Sequence, residues 1–137
     1  MEQSENNKVI LGFGSFDGLH DGHRFFIDEI KKRGERVVIA VAPDEVIEKI
    51  KGRSPRFALS ERIGALKSQF PDIEFIPADS EIGNWKILEK VKPDVVAIGY
   101  DQMSLKESLE KSGTEPLPEI VVINSHEPEK FKSSLII

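Results

Sequence analysis

Two histidines, His20 and His23, stand three residues apart within the stretch GSFDGLHDGH, which runs from Gly14 to His23. These ten residues hold three glycines, two aspartates and two of the chain's three histidines. They lie between the apolar run VILGF and the amphipathic RFFIDEI. Three readings suit that composition. Glycines let a backbone approach an anion, amides at a helix start point at it, and imidazoles donate to its oxygens, so the stretch can cradle a phosphate. Alternatively His20 and His23, at i and i+3, can share a helix face and bind a metal with Asp17 or Asp21 as oxygen ligand. Against that, Gly22 sits between them and no cysteine or third nearby histidine closes the site. The third reading is a plain strand-to-helix turn with exposed histidines. A dinucleotide fingerprint is excluded, because after Gly12-Phe13-Gly14 the third glycine would fall at Asp17, and there is no P-loop motif.

The elements that must hold this stretch follow from the hydrophobic pattern. Five β-branched runs recur, at residues 8–13, 36–42, 73–77, 94–99 and 119–124. RVVIAVA and DVVAIG are almost continuously apolar, as strands covered on both faces are. Between the runs, Phe26, Ile27 and Ile30 fall at helical spacing, with Gly34 placed to cap that helix. Further helices are predicted over 44–50, over 60–70 with Ser60 as cap, and along NWKILEKVK after Asn84, stopped by Pro93. A last one has the Ser104/Glu107 capping pattern and ends at Gly113. Alternating strands and helices predict a single-domain, Rossmann-like doubly wound α/β fold with a five-stranded parallel sheet. Ligands of such folds sit beyond the carboxyl ends of the strands, where strand order reverses. GSFDGLHDGH follows the first strand, and GYDQ (99–102) follows the fourth.

Composition narrows the function. The length of 137 residues suits one domain, and 39% hydrophobic with 31% charged residues is ordinary for a soluble protein. A net charge of −5 without a long basic run argues against a general nucleic-acid binder, so any anion site must be local. The absence of cysteine excludes disulfides, Cys-ligated zinc and thiol catalysis. Residues 1–7, MEQSENN, read as a disordered polar tail and not a signal peptide, which leaves 8–137 as the domain. No apolar run reaches membrane-spanning length, and a cytoplasmic protein is expected.

The pattern G-[ST]-F-D-x-x-H-x-G-H after a first strand resembles the signature of the cytidylyltransferase-like nucleotidyltransferases. That superfamily includes glycerol-3-phosphate cytidylyltransferase, phosphopantetheine adenylyltransferase and the archaeal-type FAD synthases. Ser15 stands where threonine is commoner and keeps the hydroxyl. The resemblance covers nearly the whole chain. KGRSPRFALSER is similar to a segment carrying a phosphate-facing lysine and then an arginine-bearing helix, places filled by Lys51 and Arg62. KPDVVAIGYDQ resembles the fourth-strand segment, and its GYDQ ending is closest to the archaeal-type FAD synthases. FKSSLII resembles the closing Ser/Thr-rich motif, filled by Ser133 and Ser134, with Lys132 where some relatives have another hydroxyl. The sequence stops at Ile137, three residues after Ser134, where relatives continue a helix. A looser outer-phosphate grip, or one shared within a homodimer, is therefore expected.

The resemblance implies nucleotidyl transfer: an acceptor phosphate attacks the α-phosphorus of ATP or CTP, and pyrophosphate leaves. Such an acceptor is already ionised, so alignment and positive potential are needed and a general base is not. By resemblance, His20, His23 and Lys51 are catalytic, the histidines donating to phosphate oxygens and Lys51 acting as a mobile cation on a flexible loop. Gly14, Ser15, Phe16, Asp17, Asp21, Gly22 and His23 would line the nucleotide with Asp101, Ser133 and Ser134. Asp101 would meet ribose or base. Asp17 would orient a histidine or lysine, or bind Mg²⁺. That Mg²⁺ would arrive with the triphosphate, and no resident metal is expected. Arg62 is as compatible with pairing to a carboxylate as with touching substrate. The implied acceptor is FMN, giving FAD. The alternatives are a glycerol-3-phosphate-type cytidylyltransferase, favoured by GNWKILEK, and a catalytically silent nucleotide-binding module. An isoalloxazine needs an apolar wall, for which Trp85 and Tyr100 are the large polar-tipped aromatics, although Trp85 by itself reads as core.

Overall fold

The structure, a computed structural model, describes residues 8–18, 21–34, 36–80, 84–100 and 102–123. In chain order these form β1 (Val9–Gly14), α1 (Asp21–Lys31), β2 (Arg36–Val41), α2 (Asp44–Lys51), α3 (Leu59–Gln69), β3 (Glu74–Pro77), α4 (Ile87–Val91), β4 (Val95–Gly99), α5 (Met103–Glu110) and β5 (Glu119–Ile123). The five strands make one sheet in the order β3-β2-β1-β4-β5, and every neighbouring pair is parallel. Strand order therefore reverses between β1 and β4. The predicted doubly wound α/β fold is the one observed.

Side-chain alternation builds two cores. Ile10, Val37, Ile39, Val41, Phe75, Val95 and Ala97 face α1 and α3, where Ile27, Ile30 and Leu66 meet them. Leu11, Phe13, Val38, Ala40, Val96 and Ile98 face the other way, toward Ile87, Leu88 and Val91 of α4 and Leu109 of α5. Because both faces are covered, β2 and β4 read as continuous apolar runs, and every residue of VVIAV and VVAIG is buried. The Asp94 carboxylate accepts a bond from the Val9 amide at 2.9 Å, tying the start of β1 to β4. Arg36 of β2 grips Glu74 of the edge strand β3 with two bonds of 2.8 and 3.0 Å. That pair is half-exposed, so it secures register more than stability. Among the described residues no helix is long and apolar enough to cross a membrane.

Several boundaries differ from those expected, each for a tertiary reason. Gly34 is not a left-handed cap. A Cβ there would lie 2.8 Å from the Lys8 carbonyl and from the Ile10 side chain, so the residue serves close approach to β1. Helix α3 starts at Leu59 with Ala58 as its N-cap, two residues ahead of Ser60, and the Glu61 carboxylate accepts the Ala58 amide at 3.1 Å. Helix α5 starts at Met103 and stops at Glu110, before Gly113. Ser104 lies inside it, and Gln102, at the cap position, uses its side chain elsewhere.

Helix α4 is only five residues long, far shorter than NWKILEKVK suggests. Trp85 has a left-handed φ of 61°, which breaks the helical path and drops the indole into the core. There it is 8% exposed, meets Phe13 edge-on at 5.6 Å, and donates its Nε1–H to Ser108 at 3.1 Å. Burying the ring offsets the cost of that backbone, about 1–2 kcal/mol. Trp85→Ala is expected to lower unfolding free energy by about 3–5 kcal/mol in urea titration. Trp85→Phe should lose only about 1 kcal/mol, the share of the Ser108 bond. Equal losses in the two variants would mean that ring packing is not what holds this segment.

Candidate active site

The turn that leaves β1 is shaped from below by its own phenylalanine. Phe16 has φ 52° and folds its ring under the strand end, where it is 3% exposed. A Cβ on Gly14 would lie 2.4 Å from that ring, so glycine is required for the fold-back. The same ring lies 5.1 Å from the His23 imidazole, tilted by 60°, in the first turn of α1. An aromatic pair of this geometry fixes the imidazole's plane at the helix start. Asp21 begins α1 and makes an exposed ion pair with Arg24 at 3.5 Å.

Arg62 anchors this turn to the rest of the sheet edge. Its side chain is 1% exposed, yet carries a full charge. Nε–H donates to the Phe57 carbonyl at 2.9 Å, and Nη1 to the carbonyls of Ser15 at 2.9 Å and Ala42 at 2.7 Å. Nη2 reaches the Asp44 carboxylate at 2.6 Å. One guanidinium thus joins the loop after β1, the loop after β2, the start of α2 and the approach to α3. In a trans peptide the N–H points opposite to the preceding carbonyl. Drawing the Ser15 carbonyl onto the buried Arg62 therefore turns the Phe16 N–H away from Arg62.

Asp17 supplies a second clamp. Its carboxylate oxygens accept the backbone amides of Arg56 at 2.8 Å and Phe57 at 2.9 Å, while its carbonyl accepts the Arg56 guanidinium at 3.0 Å. Burial pushes the Asp17 carboxyl up, but the two amides and the charges of Arg56 and Arg62 outweigh it and hold its pKa below the ordinary aspartate value. Gln102 supplies a third. Its side chain accepts the Gly99 amide at 2.8 Å and donates to the Phe13 carbonyl at 3.0 Å, stitching the ends of β4 and β1 across the switch point.

The structure thus brings Gly14, Ser15, Phe16, Asp17, Asp21, Gly22 and His23 to one strand-to-helix junction. His20, Asp101, Ser133 and Ser134 lie outside the described residues, as does His126. Lys51 is the exposed last residue of α2, and not part of the loop that follows it. The loop itself starts at Gly52, which ends the helix in the left-handed conformation. Trp85 is withdrawn into the core, whereas Tyr100, at the carboxyl end of β4, is 41% exposed. Among the described residues no three His, Asp or Glu side chains converge as metal ligands. Sequence reasoning left Arg62 open between carboxylate and substrate, and the structure assigns it to Asp44 and three carbonyls. Its place on the apolar stripe of α3, between Leu59 and Leu66, was the available signal, because a cation on a core-facing stripe must find internal partners. Arg56 and Gln102 carried no such signal.

Two outcomes are expected. Arg62→Met should destabilise the protein by about 3–5 kcal/mol in urea titration, because three carbonyls and Asp44 lose their partner. Arg62→Lys should recover only part of this, since an ammonium cannot span the same acceptors; full recovery would show that charge alone suffices. Because the Asp17 pKa is lowered on folding, its clamp contributes fully above the ordinary aspartate range. That contribution is lost as pH falls through the folded value. Asp17→Asn should therefore flatten the acid limb of a stability-versus-pH curve, and an unchanged limb would count against the clamp.

Comparisons with known proteins agree with this geometry. The family model described as cytidylyltransferase-like matches residues 11–137. The FAD synthase of Ferroglobus placidus is 37% identical over 132 residues, spanning 93% of this chain and 83% of that protein. The FAD synthase of Thermococcus onnurineus is 36% identical over 119 residues, 82% of this chain and 79% of the relative. Among solved structures, the lipopolysaccharide core biosynthesis protein from Thermoplasma volcanium GSS1 superposes with a TM-score of 0.73 at 28% identity, covering 88% of this chain and 98% of that one. A histidine-bearing turn at the switch point of a parallel sheet, within a match that spans almost the whole sequence, leads to one conclusion: the chain belongs to the cytidylyltransferase-like family of nucleotidyltransferases.

Proposed function

We propose that this protein is an FMN adenylyltransferase that makes FAD. A terminal phosphate oxygen of FMN attacks the α-phosphorus of ATP; the bond from that phosphorus to the bridging oxygen breaks, and pyrophosphate leaves with the bond's electrons. The observation that carries the reading is identity of more than a third to relatives named FAD synthase over most of both chains. It is supported by the position of the turn that carries His23, at the carboxyl end of β1 where strand order reverses.

The chain's own residues have specific work in this scheme. His23 donates to a phosphate oxygen as charge grows on it, held in plane by the Phe16 ring. The Phe16 N–H and the start of α1 add backbone donors. His20, Asp101, Ser133 and Ser134 keep the roles the resemblance implies. Mg²⁺ enters as part of the nucleotide substrate. Asp17 is given to the loop clamp in this scheme, through the two backbone amides it accepts. Tyr100 is the exposed aromatic at the mouth and the remaining candidate for an isoalloxazine wall. The Asn84-Trp85 segment no longer favours glycerol 3-phosphate, since the indole belongs to the core. The same reading has the enzyme working in the cytoplasm as a homodimer, which light scattering measures.

A pyrophosphate-release assay crossing ATP and CTP with FMN and glycerol 3-phosphate tests the proposal. FMN with ATP is expected to be the fastest pair. Turnover only with glycerol 3-phosphate and CTP would overturn the acceptor, and no release from any pair would overturn the enzyme. His23→Ala is expected to keep its thermal midpoint and lose about two to three orders of magnitude in turnover. Near-normal turnover would remove His23 from the mechanism.

A further inference from the structure

Lys51 ends an eight-residue helix that starts at Asp44, beside Arg62. Along the axis that places it roughly 12 Å from the helix start. The chain then returns through residues 52–57, and the cation it delivers to the β1 turn is Arg56. The Arg56 guanidinium donates to the Asp17 carbonyl at 3.0 Å. It lies so close to Gly18 that a Cβ there would come within 2.5 Å of Nη2. Its Cζ stands 5.7 Å from the Phe57 ring centroid, which orients the plane. Among the described residues Arg56 forms no ion pair within 4.0 Å, and the Asp17 carboxylate is turned to the backbone amides of Arg56 and Phe57. A half-satisfied, exposed guanidinium is thus fixed against the turn at the mouth of the proposed nucleotide site.

We propose that Arg56 is an anion-contacting residue of this site, binding phosphate oxygens of the nucleoside triphosphate from the far end of the loop that follows α2. The inference rests on the function proposed above and adds a residue to it. Geometry favours the role for two reasons. A guanidinium presents several N–H groups in one plane and suits phosphate better than a single ammonium does. The main-chain clamp of Arg56 and Phe57 on Asp17 does not involve the side chain, so the loop stays anchored whichever way the guanidinium turns.

The test is titration calorimetry of the full chain with Mg·ATP and with inorganic tripolyphosphate, alongside thermal midpoints. Arg56→Ala is expected to weaken both ligands about ten- to a hundredfold with little change in midpoint, and Arg56→Lys to restore part of the loss. The salt dependence of binding should also become shallower in Arg56→Ala. Wild-type affinity in Arg56→Ala overturns the inference, and if pyrophosphate is still released the proposed function survives. A loss that follows a fallen midpoint and is not restored by lysine also overturns it, making the residue structural. Wild-type protein that binds neither ligand overturns this inference and the proposed function together.

Discussion

A guanidinium taken out of water is tolerable only when its charge and its N–H groups are matched by the protein, and Arg62 imposes that requirement on the whole carboxyl edge of the sheet. Its four bonds reach residues 5 to 47 positions away, on four different segments. Three of those segments are not regular structure that could place a carbonyl unaided: Ser15, Ala42 and Phe57 all lie in connections. The buried charge converts them into one rigid unit, because moving any one of them would strand a donor in a low-dielectric interior. Asp44 remains 42% exposed, so the pair is part solvated, and its desolvation cost is correspondingly moderate.

The other two clamps extend this logic to the two strands that bracket the site. Asp17 holds the returning loop to the β1 turn, and Gln102 holds the end of β4 to the end of β1, using partners 89 residues apart on the Phe13 side. Gln102 places its amide on backbone groups at the ends of β4 and β1, and Asp17 places its carboxylate on two amides of the loop before α3. A switch point is a natural crevice because adjacent strands send their connections in opposite directions. Here that crevice has a floor of Phe16 beneath His23 and a rim tied by Asp17 and Gln102. Such a scaffold suits a reaction that needs positioning more than proton transfer.

Charge is distributed in the same spirit. The chain carries −5 overall, so its field does not draw anions to the surface in general. Positive character is instead concentrated by fixing individual cations at the edge: Arg62 inside and Arg56 at the turn. Helix α1 adds its N-terminal amides.

The sequence by itself determined the layers and the address of the site. β-Branched runs covered on both faces, separated by helical periodicity, dictate a parallel doubly wound sheet. The glycine- and histidine-rich turn follows the first strand, which in such sheets usually lies beside the switch point. These are local properties, legible residue by residue. Only the tertiary structure decided who holds whom. Arg62 could have met substrate or carboxylate; it met Asp44, 18 positions away. Asp17 took amides 39 and 40 positions on, and Trp85 left its helix to reach Phe13 on a neighbouring strand. Lys51 closes α2, and Arg56, a residue of KGRSPRFALSER to which the sequence attached no role, came to the β1 turn. Periodicity and capping depend on neighbours along the chain, whereas the partner of a polar side chain depends on which distant backbone groups the fold leaves unpaired beside it.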